Sequence, residues 1–80
     1  MIARQPTPQA WTVAKLLAWT EEYFGKLGLD SPRLDAELLL AEALGCERIA
    51  LYTGFQRPVD ESERAAFRAL VERRARREPV

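Results

Sequence analysis

Side chains able to do chemistry are sparse in this 80-residue sequence, and their spacing limits what they can do. There is no histidine and one cysteine, Cys46. The commonest general base and metal ligand are therefore missing, and neither a disulfide framework nor a cysteine metal cluster can form. Cys46 comes directly after a glycine that reads as a helix end. There the helix dipole disfavours the thiolate that reactive cysteines need, so Cys46 reads as an inert packing side chain. Glu21 and Glu22 are adjacent, and adjacent helical residues do not face each other; they read as a solvated face rather than an acid–base pair. The four glycines stand apart and form neither a GxGxxG fingerprint nor a P-loop. The chain is expected to carry no active site, no metal and no cofactor of its own.

Three placements say more. At about 100° per residue, Arg33 and Glu37 fall within the apolar sector marked by Leu40, Ala41 and Leu44, and four residues apart they can pair. One reading is an ion pair at a bundle edge, worth about 0.3–0.5 kcal/mol if exposed. The other is that Arg33, Asp35 and Glu37 tie this helix start to another segment or domain. The second placement is the closing stretch RRARREPV, residues 73–80. Arg74 follows Phe67 by seven, Leu70 by four and Val71 by three, and Arg77 follows Leu70 by seven. Both continue the apolar face of the last helix, whereas Arg73 and Arg76 point towards solvent. Dipole preference explains basic residues in a last turn but not on a packing face. Either their stems cover apolar surface, or Arg74 and Arg77 meet a partner or a following domain. Third, Trp19 lies on the flank of an apolar stripe, as edge packing or as an interface anchor. Trp11, just before a helix start, can staple back near residue 16.

The elements that would position these residues are helices. Thr12 reads as the N-cap of a first helix whose stripe is Val13, Leu16, Leu17, Thr20, Phe24 and Leu27, ending near Gly25 to Gly28. Ser31 and Pro32 are a start signal for a second, running to about Leu44 and closed by Gly45. Its centre, AELLLAEAL, is apolar on most of its circumference, which marks a central helix; Asp35 and Glu42 define its solvent wedge. A short third element is expected over about Glu47 to Thr53, carrying Ile49, Leu51 and Tyr52. Phe55 to Val59 reads as extended, since Pro58 biases Arg57 away from helix. Asp60 with Glu63 forms a capping-box start for a last helix with Ala66, Phe67, Leu70 and Val71 on its apolar face, ending near Arg77 or Glu78. The expected fold is all-α, a small compact bundle of four to five helices over 11–78. Residues 1–10 form a flexible tail and 79–80 the start of a linker.

Bulk properties agree with one small domain. The chain is 48% hydrophobic and 30% charged, a globular balance. No apolar run approaches the roughly 18 residues a membrane helix needs, and the first residues lack a signal-peptide core, so the expected setting is cytoplasmic with no membrane partner. Twelve basic and twelve acidic side chains cancel; without a basic excess, direct nucleic-acid binding is disfavoured.

In order and spacing, SPRLDAELLLAEALG (31–45), LY (51–52) and FRALVERRARREPV (67–80) resemble the N-terminal domain of the HemK/PrmC family. These are the protein-(glutamine-N5) methyltransferases of peptide chain release factors. The similarity covers about Thr12 to Val80. It implies a helical N-terminal domain that helps engage the release factor, with the glutamine of a Gly-Gly-Gln motif as target. It also implies that methyl transfer from S-adenosylmethionine happens in a following Rossmann-like domain bearing an Asn-Pro-Pro-Tyr motif, which is absent here. The chain would then be non-catalytic alone, with the release factor and its own catalytic domain as partners. Arg33, Asp35, Glu37, Arg74, Arg77 and Trp19 are the candidate contact residues. The alternative is a free-standing helical nucleic-acid-binding or adaptor module.

Overall fold

A computed structural model describes residues 11–77. Among these residues there are four helices: α1 (Val13–Lys26), α2 (Pro32–Leu44), α3 (Arg48–Thr53) and α4 (Glu61–Ala75). The all-α bundle expected from the sequence is what forms. The expected tail over 1–10 and the linker start at 79–80 lie outside the described residues.

Each boundary has a chemical cause. Thr12 Oγ1 accepts the Lys15 amide at 3.2 Å. The first two amides of α1, from Val13 and Ala14, donate to the Arg57 and Phe55 carbonyls at 3.0 and 2.9 Å. Groups that a helix start leaves unpaired are thus satisfied by the α3–α4 loop. That loop is held extended by a Thr12–Pro58 bridge, in which the Val59 amide donates to the Trp11 carbonyl at 2.7 Å. At the far end of α1, Gly28 turns left-handed at φ 78°, and the Leu29 amide reaches back to the Phe24 carbonyl, a Schellman-type stop. α2 begins with Ser31 and Pro32 as expected, although the Ser31 side chain makes no capping bond. α4 starts with the full capping box: Asp60 Oδ1 accepts the Glu63 amide at 2.7 Å, and Glu63 Oε1 accepts the Asp60 amide at 3.2 Å. The Glu63 amide and the Ser62 hydroxyl hold the Asp60 carboxyl below its usual range.

α2 is the central element, packed against α1, α4 and α3. Leu17, Phe24, Ala36, Leu40, Leu51, Val59, Phe67 and Val71 form the heart of one shared core. Thr20 is fully buried with them, and its hydroxyl has no partner.

Four expectations need correction. Asp35 is buried rather than solvent-facing, because α4 crosses that side of α2; the exposed wedge is Leu34, Leu38 and Glu42. Ala66 is exposed, since α4 seats Phe67 and Val71 on the bundle and Ala66 lies a helical step of about 100° away. Ile49 is exposed while Leu51 is buried, α3 being too short to bury both sides. α4 ends at Ala75, and Arg77 adopts a left-handed φ of 70°, so Arg77 does not continue the helical face.

Candidate docking site

The polar residues at the start of α2 are consumed within the bundle. Glu37, whose side chain is only 4% exposed, accepts from Arg33 Nε at 3.0 Å and from Arg48 Nε and Nη2 at 3.1 and 2.9 Å. The Tyr52 hydroxyl donates to its other flank. Arg48 and Tyr52 lie four apart on α3, so one short helix face supplies both donors. Arg33 also binds Glu21 of α1 and the Tyr52 hydroxyl, each at 3.2 Å. Burial pushes the Glu37 carboxyl up. The hydrogen bonds from Tyr52, Arg48 and Arg33 outweigh it and leave the group below its ordinary range. The Arg33–Glu37 pair is therefore a node linking three helices, not an isolated exposed pair.

The arginines at the chain's close are engaged too. Arg74 Nε donates to Asp35 Oδ2 at 3.0 Å, fixing the end of α4 to the start of α2. From its left-handed position, Arg77 sends Nη2 to the Leu27 carbonyl at 2.6 Å. That carbonyl belongs to the last turn of α1, where such groups lack helical partners.

A different situation holds between α1 and α4. Both flank α2 and leave an open groove of about 510 Å³ between them. Leu16, Phe67 and Val71 form its floor, with Trp11, Trp19 and Tyr23 on one wall and Arg64 and Arg68 on the other. Trp19 is 52% exposed and stacks on Tyr23, ring centroids 5.2 Å apart. Arg64 Nε is buried without a hydrogen-bond partner. The groove thus offers flat aromatic surface, and Arg64, which lines it, keeps a buried N–H donor without an acceptor. Glu61 and Glu72 mark its ends.

Among the described residues, no cluster of His, Cys, Asp or Glu could hold a metal ion. Gly28 and Gly45 serve as left-handed helix ends, so the glycines do not converge on a phosphate- or nucleotide-type cradle. No helix there is long and apolar enough to cross a membrane.

Comparison with known proteins places the chain. The profile of a family described as the PrmC N-terminal domain matches residues 15–80. The chain belongs to this family. A release factor glutamine methyltransferase from Rhodopirellula baltica is 57% identical to this PrmC N-terminal domain over 70 residues, 88% of the chain and 24% of the relative. One from Geobacter sulfurreducens is 47% identical over 73 residues, 91% and 26% respectively. One from Chlorobaculum tepidum is 41% identical over 75 residues, 94% and 26%. The chain spans about a quarter of the length of the curated relatives it matches. No solved structure matches.

Within this PrmC N-terminal domain, the six residues singled out in the sequence separate into four places. Arg33 and Glu37 join the α3 node, Asp35 and Arg74 form one interhelical pair, and Arg77 reaches α1. Trp19 alone faces the groove. Sequence reasoning missed Arg48 and Tyr52, although their i,i+4 spacing on an element expected to be helical was visible. It also missed Arg64, which precedes Phe67 by three and so shares its face.

Proposed function

We propose that this chain is the substrate-engaging N-terminal domain of an S-adenosylmethionine-dependent protein-(glutamine-N5) methyltransferase that modifies the Gly-Gly-Gln glutamine of a peptide chain release factor. In this reading the domain is not catalytic. It docks the release factor through the α1–α4 groove, in the cytoplasm, and the remainder of the parent protein binds the methyl donor and transfers the methyl group. Family membership and the relatives' shared activity support the parent enzyme.

One observation carries the docking role: the Trp19–Tyr23 stack borders a groove in which Arg64 Nε is buried without an acceptor. Leaving a buried donor unsatisfied costs about 1–3 kcal/mol, and an incoming carbonyl or carboxylate that draws the Arg64 side chain into the groove would recover it. Exposed aromatics over an apolar floor are the usual anchors of protein interfaces. The Glu37 node and the Asp35–Arg74 pair are framework in this reading. They hold α3 and α4 on α2, and so set the width of the groove.

In the full-length parent, Trp19→Ala and Arg64→Ala should each raise KM for the release factor by about tenfold, the effect of truncating an interface anchor. Both should leave kcat unchanged, because uniform binding is what is lost. An unaltered KM for both variants would overturn the groove as the docking site.

A further inference from the structure

α2 is apolar on most of its circumference, and a helix of that kind is normally covered on several sides, yet one sector of α2 stays open. α4 covers the side of Asp35 through Arg74, and α3 covers the side of Glu37 through Arg48 and Tyr52. In the sector between them, at about 100° per residue, stand Leu34 and Leu38, 40% and 36% exposed and one turn apart. Exposed leucines scattered singly need no explanation. A pair on successive turns of the bundle's central helix does, because outside the groove α1 exposes Lys15, Glu22 and Lys26 and α4 exposes only small or charged side chains, among them Ala65, Ala66, Ala69 and Arg73.

The path of the chain indicates what covers them. The end of α4 is fixed over the start of α2 by the 3.0 Å Arg74–Asp35 bond, and Arg77 is turned against Leu27. Asp35 neighbours Leu34 in sequence and precedes Leu38 by three, so the polypeptide leaves the described bundle within about a turn of this stripe. In the relatives, roughly three quarters of the protein lies outside the matched region. We infer that the Leu34–Leu38 stripe is the seat of the parent polypeptide that follows residue 80, whose apolar side chains complete the cover of α2.

Magnitude favours this occupant over a free partner. The leucine surface still exposed is worth at most about a few hundredfold bias towards contact, too little for two free molecules to associate once the cost of association is met. A tethered segment, by contrast, arrives at about millimolar effective concentration. The inference needs only a following segment, so it stands apart from release-factor docking in the groove.

The test is carbene footprinting of the full-length parent without release factor, each leucine referred to its own labelling in the urea-unfolded chain. Docking should cut the labelling of Leu34 and Leu38 to about a tenth or less of what their present exposure allows, close to that of buried Leu40. Leu38→Lys should restore Leu34 labelling about tenfold while Leu17 and Leu40 stay protected. Labelling of Leu34 and Leu38 in the wild type at the level of their present exposure would overturn the inference. So would protection that fades on dilution, which would indicate a second copy, or protection that needs added release factor.

Discussion

Two arginine-bearing surfaces of the bundle differ in how their donors are used. At the start of α2, Arg33 and Arg48 converge on Glu37, and the Tyr52 hydroxyl closes the set. In the α1–α4 groove, Arg64 holds a buried Nε with no acceptor, beside a tryptophan that is half exposed. The first surface is saturated and serves the fold. The second leaves apolar area exposed and a buried donor unpaired, which a folded chain tolerates at some cost in stability. The proposed docking role rests on that difference in unmet bonding capacity, not on charge density.

That contrast can be broken most forcefully at Glu37. Glu37→Ala strips three donors of their shared acceptor and should lower unfolding stability by about 3 kcal/mol, read by urea denaturation. A loss under about 1 kcal/mol would mean the node is ornamental. Acid titration sharpens the point. The Glu37 carboxyl lies lower in the folded than in the unfolded chain, so its contribution is fully present above the ordinary glutamate range. It should fade as pH falls through the depressed folded value. Glu37→Gln should flatten that acid limb, and an unchanged limb would contradict the assignment.

Thr20 provides a sealed counterpart to Arg64, an unpartnered hydroxyl buried where no ligand can reach. Thr20→Val should be neutral or stabilise by up to about 1 kcal/mol, with release-factor affinity unaltered. Trp19→Ala should move stability least, within about 0.5 kcal/mol, as befits a half-exposed side chain. A loss near 2 kcal/mol there would make Trp19 a core residue and remove the reason for reading the groove as open.

Local chemistry was legible in the sequence, and distant pairing was not. Thr12, Ser31-Pro32, Gly45 and the Asp60–Glu63 box fix helix ends through contacts a few residues apart, and the structure uses each of these positions. Asp35 was misplaced because its partner, Arg74, lies thirty-nine positions away, and no periodicity within α2 reports it. Arg77 was misplaced because helical spacing was extended two residues beyond the true end of α4. The groove exists only because α1 and α4 both pack on α2 and stay apart. That is a property of three helices together, so neither the tryptophans nor Arg64 could announce it alone.

The most direct measurement is a titration of the ¹⁵N-labelled chain with unmethylated release factor, following amide shifts residue by residue. The expected result is a continuous set of shifts along the groove walls, from Trp11 to Tyr23 on one side and Glu61 to Glu72 on the other, with Glu37, Arg48 and Tyr52 unmoved. Shifts centred on the Glu37 node, or none at high micromolar release factor, would contradict the groove as the docking surface.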